Sequence, residues 1–138
     1  KSRSRGLGDV YKRQMQEEDF IGYREILNKT TANKTLVTGD DLTTTNTKRL
    51  LRAIRAKSIN AIIIKPNQIG SMIEVKKVVE ICKKNNIKTI FSHRSGETMD
   101  DILGDYAVGF SADFIKTSPM GKERLIKLKR VIDIERSL

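Results

Sequence analysis

The stretch Ala61-Ile-Ile-Ile64, followed without a break by Lys65-Pro-Asn-Gln-Ile-Gly70, decides the fold. An apolar run this short, without polar alternation, predicts a strand buried on both faces. The abrupt change to lysine, proline and amides marks its end. Working outward, three similar runs occur: Thr35-Leu-Val-Thr38 before it, and Thr89-Ile-Phe91 and Phe114-Ile115 after it. None alternates strictly, so all four are expected to be buried on both faces.

Between these runs the apolar period becomes helical. Leu50, Leu51 and Ile54 share a face behind a cap at Asn46 or Thr47, and Val75, Val78, Val79 and Cys82 repeat at i, i+3, i+4, i+7. Leu103, Tyr106, Ala107 and Phe110 keep that spacing, and Leu125, Leu128, Val131 and Ile132 form a similar stripe. Each stripe is expected to face the core, which makes Cys82 a packed thiol. Glu17 to Asn28 is the expected closing helix of a preceding unit. Strand and helix alternating four times predict successive βα units and a parallel sheet.

Composition restricts function less than organisation does. A chain of 138 residues can bury one modest core, and 38% hydrophobic with 32% charged residues suits a globular piece. The longest apolar run is far too short for a bilayer, so no membrane role is expected. One cysteine cannot form an internal disulfide, and a reducing, cytoplasmic setting is expected. Of the +10 net charge, Lys1, Arg3, Arg5, Lys12 and Arg13 against Asp9 give the first fourteen residues +4 and leave +6 for the other 124. Residues 1–14 have no hydrophobic period and resemble translated adapter sequence, so the division is a non-native leader over 1–14 and a folded domain over 15–138. A basic RNA-binding arm is the rival reading, but aromatic interleaving is nearly absent and nucleic acid is not the expected partner. No Gly-x-Gly-x-x-Gly or Walker motif follows any strand.

Polar residues follow each strand at once: Gly39-Asp40-Asp41, Lys65-Pro66-Asn67-Gln68, Ser92-His93-Arg94-Ser95-Gly96-Glu97-Thr98, and Lys116-Thr117. Taken singly, each has a bland explanation. Asp40 or Asp41 could close an Asx-turn, Lys65 and Lys116 could reach to solvent, and His93 could be a satisfied core imidazole. In a (β/α)8 barrel, however, all C-terminal strand ends open on one face, the face that carries chemistry. Lys65, Lys116 and Arg94 gathered there would repel one another unless an anion is held among them. A carboxylate in the same ring suggests a divalent cation, so phosphate plus metal is the natural inference.

These segments resemble the enolase family. Gly39-Asp-Asp-Leu-Thr-Thr-Thr-Asn46, Lys65-Pro-Asn-Gln-Ile-Gly70, Ser92-His-Arg-Ser-Gly-Glu-Thr98 and Ile115-Lys-Thr117 match its motifs in order and spacing, and the likeness runs from Glu17 to Leu138. The resemblance implies an α/β fold, the C-terminal half of a (β/α)8 TIM-type barrel with about four βα units, truncated at its N-terminus. It implies a lyase of glycolysis, the phosphopyruvate hydratase that dehydrates 2-phosphoglycerate to phosphoenolpyruvate with Mg2+, working as a homodimer or higher homo-oligomer. Asp40 would ligate the Mg2+, and Lys65 would take the proton from carbon 2. Arg94 and Ser95 would bind the phosphate, Lys116 the carboxylate end, and His93 would line the pocket near the leaving hydroxyl. Asp41 is expected to be structural.

The chemistry explains these residue types. Removing a proton beside a carboxylate piles a second negative charge on that group, so cations must be preorganised around it. Lys65 must be neutral to act, and lowering a reference pKa near ~10.4 to about 8 takes roughly 3 kcal/mol of unfavourable surroundings for its ammonium. The family also carries a metal-ligating glutamate in a Glu-Asp-Pro-Phe motif, which should precede Glu17, together with a general-acid glutamate and a second metal aspartate. None of these is found here, and Lys122 stands where the family tends to carry arginine. The fragment alone is therefore expected to be inactive. The alternative is a non-catalytic basic module for anionic metabolites or RNA.

Overall fold

In the computed structural model, residues 16–30 and 35–138 are described. The leader expected over residues 1–14 lies outside them. Among the described residues no helix is long and apolar enough to cross a membrane.

The chain order is α1 (Phe20–Thr30), β1 (Thr38–Gly39), α2 (Thr47–Arg55), β2 (Ala61–Ile64), α3 (Pro66–Ile69), α4 (Met72–Lys84), β3 (Lys88–Ser92), α5 (Ile102–Gly109), β4 (Phe114–Lys116) and α6 (Lys122–Glu135). The four strands form one sheet in the order β1-β2-β3-β4, every pair parallel. Each strand lies beside its successor with helix between, and the order never reverses. A doubly wound sheet has such a reversal and binds its ligand there; an arc of a barrel has none.

Register sets the height of the strand ends. Gly39 is level with Ile62, Ile64 with Phe91, and Ser92 with Lys116. Asp40, Lys65, His93 and Lys116 therefore all emerge at the C-terminal rim. All four residues of β2 are buried, as its unbroken apolar run requires.

The edges depart from expectation. β4 is not buried on both faces: Phe114 is 49% exposed and Lys116 is exposed, because no strand among the described residues covers its outer side. The first strand is shorter than the expected Thr35–Thr38 and sits later. Asn60 is the reason. Its amide donates to the Thr35 carbonyl and its oxygen accepts the Val37 N–H, so a side chain occupies the place of the partner strand's backbone.

The helices follow their stripes with one exception. The α2 cap is Asn46, whose Oδ1 accepts from Lys48 N and Arg49 N, and the helix buries Leu50 and Ala53, with Ile54 partly covered. On α4, Val75, Val78, Val79 and Cys82 are all buried. Burial, then the charge of Asp113, pushes the Cys82 thiol up to about 12, so it stays protonated and inert. On α5, Leu103 and Ala107 are buried, and Phe110 stacks on Phe91 with centroids 5.7 Å apart. The stripe on α6 does not face the core as expected: Leu125 and Ile132 are 52% and 45% exposed, and the helix's one buried residue is Lys127. The reason is α5. A Cβ on Gly104 would lie 3.1 Å from Arg130 Cγ and 3.3 Å from the Lys127 carbonyl, so α6 rests on that glycine. Its inward face then runs through 124, 127, 128 and 131, taking in only half of the apolar stripe.

Candidate functional site at the strand ends

β1 ends at Gly39, where any side chain would collide: a Cβ would lie 2.8 Å from Thr43 Cγ2. The chain then turns back over Asp40, whose carbonyl accepts the N–H groups of Thr43 and Thr44. Thr44 and Thr45 both hold positive φ, 45° and 53°. Two consecutive β-branched residues in the left-handed region are costly, a strain that persists only where surroundings enforce it. Here the Lys65 N–H donates to Thr45 Oγ1, which donates to Gln68 Oε1. The strained turn thus ties the loop after β1 to the loop after β2.

That tie brings Asp40 and Lys65 together. Lys65 Nζ lies 2.5 Å from Asp40 Oδ1, with side chains 10% and 3% exposed respectively. Residues 25 apart in sequence meet as a buried ion pair at the rim. The expected crowding of cations is therefore relieved at Lys65 by a carboxylate of the chain itself.

The third loop is built differently. His93 N donates to the Lys116 carbonyl, and the His93 Nδ1 lies 2.9 Å from the same oxygen. The β3 and β4 loops are stitched together there. Arg94 and Ser95 are exposed, as is Lys116. The Arg94 N–H donates to Glu97 Oε1 at 2.6 Å, closing a tight turn that presents both side chains outward. Beside it a cavity of about 360 Å3 opens between the Pro66–Met72 connection and the Ser92–Asp100 loop. His93, Glu97 and Lys127 are in its wall; Asp40 and Lys65 are not.

Sequence reasoning missed Glu97 and Lys127. Burial by itself would raise the Glu97 carboxyl. The Arg94 N–H and the Lys127 ammonium, with a contribution from His93, outweigh that and hold it below the usual carboxylate range. Lys127 Nζ lies 2.9 Å from Glu97 Oε2. A signal was present, since Lys127 sits between Ile126 and Leu128 on an amphipathic helix, but a lysine there reads as a solvated position.

Mg2+ requires several hard oxygen ligands in a near-octahedral arrangement. Asp40 supplies a hard carboxylate oxygen of the right kind, but no group of three or more His, Cys, Asp or Glu among the described residues could hold a metal ion. These residues alone do not make the site, and no reaction step is assigned to the ion.

A family model described as "Enolase, C-terminal TIM barrel domain" matches residues 11–138. Among curated relatives, the enolase of Picrophilus torridus is 44% identical over 124 residues, covering 90% of this chain and 31% of that protein. The enolase of Metallosphaera sedula is 45% identical over 87% of this chain and 29% of its own length, and that of Sulfurisphaera tokodaii 48% identical over 86% and 28%. The chain thus spans about a third of the length of the curated relatives it matches. With four parallel strands in unbroken order and the rim motifs in place, the chain belongs to the enolase family, within its C-terminal TIM barrel domain.

Proposed function

We propose that this chain carries the base side and the phosphate side of an enolase site, which dehydrates 2-phosphoglycerate to phosphoenolpyruvate. The observation that carries the reading is the buried Asp40–Lys65 pair at the rim, flanked by the stitched His93–Lys116 loops. Lys65 removes the proton from carbon 2, Arg94 and Ser95 receive the phosphate, Lys116 meets the carboxylate end, and His93 borders the leaving hydroxyl. To act as a base, Lys65 must part from Asp40 and turn its amine toward carbon 2. Asp40 would supply one hard carboxylate oxygen to the Mg2+ that the family reading implies. When bound, the ion supplies positive charge against the doubly charged carboxylate of the reaction.

On this reading the whole protein is a cytoplasmic hydro-lyase of glycolysis, a homodimer or larger, and residues 1–14 are foreign to it. An independent nucleotide read upstream of the Met15 codon tests the last point. Alone, the 138-residue chain is expected to show no turnover with 2-phosphoglycerate and Mg2+.

A graft tests the site. Residues 16–138 replace the matching segment of the Picrophilus torridus enolase, and phosphoenolpyruvate is followed by its ultraviolet absorbance. The graft is expected to turn over, and Lys65→Ala within it to lose at least ~10²-fold, the usual worth of a general base. Full activity in the Lys65→Ala graft would sink the assignment.

A further inference from the structure

Lys127 is the one buried residue of α6 among those described, its side chain 3% exposed. Four oxygens surround its Nζ: the carbonyls of Asp100 and Glu123 at 2.7 Å, that of Thr98 at 3.1 Å, and Glu97 Oε2 at 2.9 Å. An ammonium has three N–H donors, so every one is engaged. Three of the four oxygens belong to the loop after β3, and the fourth anchors the ammonium to the first turn of its own helix. The contacts continue from there. Glu97 passes its other oxygen to the Arg94 N–H, and Asp100 Oδ1 accepts the Ile102 N–H at 2.7 Å where α5 begins.

Burying an ammonium is costly, and an apolar residue would be cheaper at this position if packing were its only role. Such a residue would leave the Thr98 and Asp100 carbonyls and Glu97 Oε2 without the Lys127 donor. The loop has no strand pairing of its own to take over. The depth of Lys127 is fixed from behind by α5, where Gly104 admits the α6 backbone and Arg130 grips Asp105 through two bonds of 2.9 and 2.7 Å.

We infer that Lys127 is a positioning residue: through Glu97 and the Thr98 and Asp100 carbonyls it holds the Arg94–Asp100 loop in the shape that projects Arg94 and Ser95 together. The inference rests on the proposed reading of that loop as the phosphate side of the site. It extends the site to α6, whose buried lysine stands behind that loop.

Lys127→Met separates tethering from packing, because methionine keeps most of the apolar stem and loses the charge. Amide hydrogen exchange is followed by NMR on the 138-residue chain. The Arg94 amide is expected to exchange at least about tenfold faster in the variant, relative to Ile63 in β2, as befits loss of a charged hydrogen-bond centre. An unchanged ratio would overturn the inference. Should the methionine variant fail to fold, Lys127→Gln keeps two neutral donors and is expected to give a smaller rise in the same ratio; no rise would overturn it equally. Inorganic phosphate is added in a separate arm. Wild-type Arg94 and Ser95 resonances that ignore it would count against the proposed function, while the exchange ratio alone decides the role of Lys127.

Discussion

Among the described residues lie two buried lysine–carboxylate pairs, and they are built to opposite specifications. Lys65 has one oxygen partner for its ammonium among the described residues, Asp40, and the pair sits in the core at the rim of the sheet. Lys127 has four, and three of them come from one loop. An ammonium whose donors are all engaged can do nothing but hold its neighbours. One held by a single carboxylate keeps donor capacity and can exchange partners. The difference separates a group placed for chemistry from one placed for support, although both are buried lysines.

The strongest way to break the comparison is to remove the partner in each pair. Asp40→Ala leaves the Lys65 ammonium, its side chain only 10% exposed, without the carboxylate that faces it. A loss of about 3–5 kcal/mol is expected, the usual result of breaking a buried pair from one side. Replacing both members, Asp40→Ala with Lys65→Met, should restore most of it, since no charge is then left unpaired. Urea unfolding of the three chains measures this. A double variant no more stable than Asp40→Ala would show that Asp40 matters for its turn and not for the pair.

Lys127→Met is the contrasting case. Its stranded partners are on an exposed loop that can swing outward and rehydrate, so the same urea experiment should show only ~1 kcal/mol, near the net worth of a hydrogen bond. The effect is concentrated in the loop. A global loss as large as that of Asp40→Ala would erase the distinction between the two pairs.

How far the sequence foretold these features follows from what decides each one. β2 and the α4 stripe were legible because they are enclosed on every side, where hydrophobic pattern and burial must agree. The order of the rim residues was legible because parallel strands deliver their ends to one side. The pairing of Asp40 with Lys65 was not, since it depends on two strained threonines that tie neighbouring loops. β1 was misplaced because an asparagine side chain stands in for backbone, which no periodicity reveals. On α6 the apolar stripe pointed the wrong way: the inward face was chosen by Gly104 on another helix, and a lysine filled it.

The smallest expected effect sharpens the comparison without disturbing the core. The Glu97 carboxyl, 13% exposed in its side chain, is held below the usual range by the Arg94 N–H and Lys127 against the opposing pull of burial. A depressed folded pKa means that its contribution is complete above the unfolded value of about 4.3 and is lost as pH falls through the lower folded value. The loop should therefore be indifferent to pH near neutrality and loosen only in acid. In Lys127→Met the ammonium is gone, burial remains, and the Glu97 midpoint should rise toward or past its ordinary value. The side-chain carboxyl 13C shift of Glu97, titrated in both chains, reads this directly. A midpoint unmoved by the substitution would mean that the Arg94 N–H alone holds the carboxylate, and that Lys127 grips the loop through its carbonyls instead.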